Sequence, residues 1–124
     1  MNVLLVDDSA VMRAVVQRTL EMSGVPIGRV YHAANGVEGL DLLRHTAIDL
    51  LMLDISMPLL RGDELLEEIR ATTAFDHLHV IVVSSERSDE RIARMESLGA
   101  VFVKKPFAPE QIRTVISEML ATPR

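Results

Sequence analysis

The sequence contains no cysteine among its 124 residues. It can therefore form neither a disulfide framework nor a thiolate metal site, and a reducing compartment is the natural environment for such a chain. It also lacks any apolar run approaching the roughly 20 residues that a membrane-spanning helix needs. The first strand-like stretch, Val3 to Val6, ends directly in two carboxylates. We therefore expect a cytoplasmic protein with no membrane insertion.

Basic residues are a minority among the charged ones. The chain has 13 Lys and Arg against 18 Asp and Glu, for a formal net charge of -5. Direct nucleic-acid binding usually needs a basic face, so this balance argues against it. The chain is long enough for one hydrophobic core, and no repeat or linker divides it. We predict a single domain over residues 1–124.

Short runs of Val, Ile and Leu alternate with segments of helical period, which indicates five βα units around a parallel sheet. Strands are predicted at 3–6, 29–34, 50–53, 80–83 and 100–103. The third run is continuously apolar, as expected for a central strand covered on both faces. Inward-facing helical positions are predicted at Met12, Val15, Val16, Leu20, Val37, Leu40, Leu43, Leu65, Leu66, Ile69, Ile92, Met95, Ile112, Val115, Ile116, Met119 and Leu120.

The ends of several helices are also marked in the sequence. Asn35 with Glu38 three positions later resembles a capping box. Ser88 precedes an acidic pair at the start of the fourth helix, which Gly99 ends. Pro109 is a favourable first residue for the last helix.

Polar residues directly follow four of the predicted strands. They are Asp7, Asp8, Asp54, Ser84 and Lys105. Ligands of open parallel sheets bind beyond the carboxyl ends of the strands, so these side chains are expected to share one edge. Clustered carboxylates repel one another and need a compensating cation, and their oxygens suit Mg²⁺. Any single Asp there could equally be a turn former or a helix cap.

A metal, a carboxylate, a hydroxyl and an ammonium together suit phosphoryl transfer. Asp54 stands alone at its strand end and is the candidate nucleophile, whereas the adjacent Asp7 and Asp8 suit metal binding. Ser84 and Lys105 are candidates to contact phosphoryl oxygens. The bond before Pro106 permits a cis turn that would aim Lys105 at the site.

In their order and spacing these residues resemble the receiver domains of two-component response regulators, and the match runs from end to end. It is carried by Val6-Asp7-Asp8-Ser9, Met12-Arg13, Ala34-Asn35-Gly36, Asp54 to Pro58 reading D-x-x-M-P, Gly62, Ser84 and Lys105-Pro106-Phe107. The resemblance implies a flavodoxin-like, CheY-like fold, a doubly wound (βα)5 sheet of five parallel strands in the order 2-1-3-4-5.

The resemblance also implies the roles of the site residues. Asp54 would be the phosphorylated residue, with Mg²⁺ as cofactor. The metal would be held by Asp8 and Asp54 directly, by Asp7 mainly through water, and by the backbone carbonyl of Ser56. Ser84 and Lys105 would bind phosphoryl oxygens, Phe102 would be the switch aromatic, and Ser56 with Glu86 would tune dephosphorylation.

Two local features bear on these assignments. Gly99 to Lys105 spans six positions where the family commonly has seven, so the loop before the fifth strand is one residue shorter, a departure that bears on the assignment of Phe102. Lys104 lies beside Lys105, and the lysine next to proline is the family pattern.

The implied function is a phosphorylation switch that is not a conventional enzyme. A sensor histidine kinase or a histidine phosphotransfer protein would donate the phosphoryl group. A downstream partner would bind the face of helix 4, strand 5 and helix 5, and hydrolysis, self-catalysed or assisted by a phosphatase, would reset the protein. Chemotaxis-type control is slightly favoured over another phosphorelay by the start of the first helix.

Other interpretations remain open from the sequence alone. An Asp-nucleophile phosphatase would need a second carboxylate where Ser56 stands, and a nucleotide site would need a glycine-rich turn after the first strand. A receiver-like interaction module without phosphorylation is a further alternative, and the chain could act alone or come from a longer regulator. His32, His45, His77 and His79 lie away from the predicted carboxyl strand ends and are expected in surface or capping roles.

Overall fold

The computed structural model describes residues 1–54, 62–85 and 88–121. Strands and helices alternate along the chain. They are β1 (Val3–Val6), α1 (Ala10–Met22), β2 (Val30–Ala33), α2 (Gly36–His45), β3 (Leu50–Leu53), α3 (Gly62–Ala71), β4 (His79–Ser84), α4 (Asp89–Ser97), β5 (Ala100–Lys104) and α5 (Pro109–Ala121), with a short 3-10 helix at Thr73–Phe75. Within these described segments, no helix has the length and apolarity to cross a membrane.

The five strands form one parallel sheet in the order β2-β1-β3-β4-β5. This confirms the predicted doubly wound α/β class and its strand order. β1 lies between β2 and β3, and the register pairs Val6 with both Ala33 and Leu53. The carboxyl ends of the three strands therefore lie side by side, and this alignment positions the residues that follow them.

Two apolar clusters cover the two faces of the sheet. Side chains of β3 alternate between them, with Leu51 and Leu53 in the cluster shared with α2, α3 and α4, and Leu50 and Met52 in the cluster shared with α1 and α5. All four are buried. The continuous apolar run of this strand is thus explained by helices on both sides.

The predicted helix starts are present. Asn35 accepts a hydrogen bond from the backbone N–H of Glu38 at 2.9 Å, and Ser88 caps α4 by accepting from Arg91 at 3.3 Å. The Glu38 carboxylate accepts from the backbone N–H of Ala34 at 3.2 Å instead of from that of Asn35, so the capping box is shifted by one residue. The N–H groups of Glu38 and Arg91 belong to first helical turns, and these two bonds satisfy donors that the helices themselves leave without a partner.

The apolar face that each of three helices buries is narrower than predicted. Val15, Val37 and Leu120 are 50%, 57% and 55% exposed, so their predicted inward positions are wrong. Periodicity marks a face of a helix, but contact with the sheet buries only the residues closest to the contact line.

Some strand ends differ from the prediction by one residue. β4 extends to His79 and Ser84, β5 extends to Lys104, and β2 is shorter than predicted at both ends.

Two positions one turn apart on α5 test this burial pattern. Ile116 is 2% exposed and packs in the core with α1, whereas Leu120 is largely solvent-exposed. Ile116→Ala should lower the free energy of unfolding by about 2–5 kcal/mol, because it leaves a cavity. Leu120→Ala should change it by less than about 0.5 kcal/mol. Urea unfolding followed by circular dichroism measures both, and equal losses would contradict the described packing of α5.

Candidate functional site

Three carboxylates meet at the carboxyl edge of the sheet. Asp7 follows β1 and Asp54 follows β3, and the backbone N–H of Asp54 donates to the carbonyl of Val6 at 3.0 Å. This bond continues the ladder one residue past the strands and holds the two aspartates side by side. One carboxylate oxygen from each of Asp7, Asp8 and Asp54 lies within 4.8 Å of the other two. Asp7 is buried, Asp54 is half-buried and Asp8 is exposed.

Lys105 brings an ammonium to this cluster. Its Nζ lies 3.5 Å from Oδ2 of Asp7 and 3.9 Å from Oδ2 of Asp54, and its side chain is only 17% exposed. Its backbone N–H donates to the carbonyl of Ser84 at 3.0 Å, which aligns the end of β5 with the end of β4. The Lys105–Pro106 peptide bond is cis. Lys104, by contrast, is exposed, so the lysine beside proline is the one that reaches the carboxylates.

A local turn orients Asp7. Oδ1 of Asp7 accepts from the backbone N–H of Ser9 at 2.9 Å, and Oγ of Ser9 accepts from the backbone N–H of Met12 at 3.2 Å. Ser9 is thus the N-cap of α1, and the Asp7 side chain, two residues earlier, forms an Asx-type turn with it. The other oxygen of Asp7 is directed at Lys105.

Arg13 is a site residue that the sequence analysis did not assign to the site. Its Nη1 donates to the backbone carbonyl of Asp7, and its side chain lines the cavity that Asp7, Asp54 and Lys105 also line. Its Nε donates to Nδ1 of His32 at 3.2 Å. The signal in the sequence was its place one turn after the Ser9 cap, which keeps a long side chain near the acidic turn.

The remaining predicted residues have different positions. Ser84 is the last residue of β4 and is buried. Phe102 lies within β5 and packs, half-buried, against the apolar cluster on the side of α4. Ser56 and Glu86, predicted as a backbone metal ligand and as residues that tune dephosphorylation, fall outside the described residues.

The donors of this cluster fit a hard divalent cation. All three ligand groups are carboxylates, which match the oxygen preference of Mg²⁺. Two of them are partly shielded from water, and one exposed carboxylate leaves an open side toward solvent. The flanking ammonium of Lys105 also suits an anionic group that approaches from that side.

Comparisons with known proteins identify the family of this chain. Residues 3–117 match the family described as the response regulator receiver domain. A chemotaxis protein CheY homolog of Campylobacter jejuni is 31% identical over 124 residues, covering 98% of this chain and 94% of the relative. The sensor histidine kinase CheAY of Helicobacter pylori is 31% identical over 121 residues, covering 95% of this chain and 15% of that longer protein.

Solved structures give the same result. The chemotaxis protein CheY4 of Vibrio cholerae superposes with a TM-score of 0.81 at 29% identity, covering 94% of this chain and 96% of that one. Family match, full-length relative and superposition all extend over nearly the whole chain. The chain therefore belongs to the receiver-domain family of two-component response regulators, with a CheY-like fold.

Proposed function

We propose that this protein is a phosphorylation switch in which Asp54 accepts a phosphoryl group from a phosphohistidine with the help of Mg²⁺. The observation that carries the proposal is the position of Asp54. Its half-buried carboxylate lies in a cluster with those of Asp7 and Asp8 and 3.9 Å from the ammonium of Lys105. A nucleophile, a cation-binding pair of carboxylates and a fixed positive charge are the parts that phosphoryl transfer needs.

In the proposed reaction, a carboxylate oxygen of Asp54 attacks phosphorus and forms a P–O bond. The P–N bond to the donor imidazole breaks, and the imidazole leaves with the electron pair. Asp8 and Asp54 would hold Mg²⁺ directly, Asp7 mainly through water and Ser56 through its backbone carbonyl. When bound, Mg²⁺ supplies neutralisation of the charge on the phosphoryl oxygens. Lys105 adds a second positive charge, and its partial burial strengthens that contribution.

The acyl phosphate then acts as the signal. It adds negative charge and new acceptor oxygens at Asp54. We propose that Ser84 and Lys105 bind these oxygens. A population shift would follow at the face formed by α4, β5 and α5, with Phe102 as its aromatic element. The roles of Ser56 and Glu86 in setting the rate of dephosphorylation remain predictions.

The partners follow from the family's role. Receiver domains are phosphorylated by histidine kinases and act on partners, and we propose a sensor histidine kinase or a histidine phosphotransfer protein as the donor here. The CheY homolog and the CheAY kinase support a chemotaxis-type pathway. We propose one receiver domain over residues 1–124. A location in the cytoplasm, a phosphatase partner and the absence of nucleic-acid binding remain predictions.

The first test is labelling with a small acyl-phosphate donor and Mg²⁺. We expect one phosphoryl adduct that maps to Asp54, requires Mg²⁺ and disappears in Asp54→Asn, measured by intact mass and peptide mapping. Asp49→Asn is the matched control, because Asp49 lies directly before β3, at its opposite end, and should be labelled normally. If no adduct forms and Mg²⁺ titration shows no binding, the interaction module without phosphorylation becomes the better account.

The two adjacent lysines give a second test. Lys105→Ala should slow formation of the adduct by at least about tenfold, because it removes an ammonium that lies 3.9 Å from the Asp54 carboxylate. Lys104→Ala should leave the rate within about twofold, because that side chain is exposed and points away in the alternation of β5. Stopped-flow or quench measurements with the same donor give both rates. A larger loss for Lys104→Ala would reverse the assignment of the two lysines.

Mutual repulsion among the carboxylates gives a third test. In metal-free buffer at neutral pH, Asp8→Asn should raise the free energy of unfolding by about 1 kcal/mol, because one exposed charge of the cluster is removed. Saturating Mg²⁺ should stabilise the wild type more than the variant, because the variant binds the ion less tightly. Urea unfolding with and without Mg²⁺ measures this. Asp76→Asn, in an exposed turn far from the cluster, should show neither effect.

A further inference from the structure

Arg13 and His32 connect the acidic pocket to the outer surface of α1. The Arg13 guanidinium donates from Nη1 to the backbone carbonyl of Asp7 and from Nε to Nδ1 of His32. On the other side of the ring, Nε2 of His32 lies 2.6 Å from Oε1 of Gln17. Neither Arg13 nor His32 is among the residues assigned above to phosphoryl transfer.

These contacts determine the protonation state of His32. A guanidinium has only donors, so Nδ1 must accept and carries no proton. The amide oxygen of Gln17 is an acceptor, so Nε2 carries the proton and donates it. His32 is therefore neutral whenever this arrangement is present. A second proton on Nδ1 would remove the acceptor of Arg13 and place two cations in contact.

The surroundings of His32 favour the neutral form. β2 is an edge strand, and the neighbour of His32 on β1 is the apolar Leu5. On the side of α1, the ring of His32 contacts Arg13 and Gln17, and the acidic Glu21 follows one turn further along that helix. On the other face of β2, α2 packs against the sheet. Partial desolvation and the Arg13 charge lower the pKa of His32 below its ordinary value of 6.5. The ring thus gains a proton only as the pH falls below that value.

We propose that Arg13 is a positioning residue for the acidic pocket, that neutral His32 holds it against the carbonyl of Asp7, and that proton uptake by His32 therefore weakens Mg²⁺ binding. The inference rests on the proposed function, because it requires the pocket to take Mg²⁺. Two effects act with the same sign. Release of Arg13 removes the hydrogen bond that fixes the Asp7 backbone, and the added positive charge opposes an incoming cation.

The test compares Mg²⁺ dissociation constants, measured by titration between about pH 5 and about pH 8, in wild type and His32→Gln. Glutamine keeps an acceptor for Nε of Arg13 but cannot take up a proton, and titration of the carboxylates is common to both proteins. Across this range, wild-type affinity should fall by at least about fivefold more than that of the variant. His77→Gln, which changes an exposed histidine at the opposite end of the sheet, should behave as wild type.

Arg13→Lys provides a second variant and a readout that needs no metal. It keeps the positive charge, but one ammonium cannot reproduce the fork that joins Asp7 to His32. The pKa of His32, followed by NMR of the ring protons, should rise toward its ordinary value in Arg13→Lys. By reciprocity, Mg²⁺ should lower the pKa of His32 in the wild type and lower it less in this variant, where only the direct repulsion between the two charges remains.

Two results would overturn the inference while Asp54 labelling stays intact. One is equal pH dependence of Mg²⁺ affinity in wild type and His32→Gln, and the other is full retention of that dependence in Arg13→Lys. Absence of both Mg²⁺ binding and the Asp54 adduct would instead overturn the proposed function, and this inference with it.

Discussion

Three carboxylates held within 4.8 Å of one another are the constraint on which the rest of the site depends. Two unit charges about 4 Å apart repel by roughly 4 kcal/mol at an effective dielectric near 20. Lys105 offsets part of this repulsion from within the fold, because its ammonium contacts both Asp7 and Asp54. Within the described part of the chain, Lys105 and Arg13 bring two positive charges to three carboxylates, which leaves a net negative charge. That remaining charge is the basis of the proposed affinity of the pocket for a divalent cation and, with the cation, for a phosphoryl group.

The backbone that carries the three carboxylates is held by the sheet and by the turn after β1. β3 is buried on both faces, and the backbone bond from Asp54 to Val6 ties it to β1 beyond the strand ends. The neighbouring turn adds a second restraint, because Asp7 is held through its carboxylate by Ser9 and through its carbonyl by Arg13. Burial of the central strand and these bonds therefore favour the fixed spacing of carboxylates that the proposed function requires.

The same register connects the site to the surface at β5. Ser84 pairs with Lys104, and the carbonyl of Ser84 accepts the backbone N–H of the next residue, Lys105. Phe102 lies in the same strand and packs toward α4. A change in the contacts of Ser84 or Lys105 thus acts on a strand that also carries surface residues. This continuity supports the proposed switch, in which a local gain of negative charge alters a partner-binding face.

The sequence by itself determined the five βα units, the buried third strand and the group of polar residues after the strands. These follow from local period and from the rule that parallel strands share their carboxyl edge. The strand order came from the resemblance to receiver domains, because periodicity does not say which strands are neighbours. Tertiary structure alone decided that Val15, Val37 and Leu120 face solvent, because the width of a buried stripe depends on how each helix lies on the sheet. The contact between Arg13 and His32 was likewise decided by the tertiary structure, because it joins α1 to β2 and no local sequence pattern predicts how these two elements approach each other.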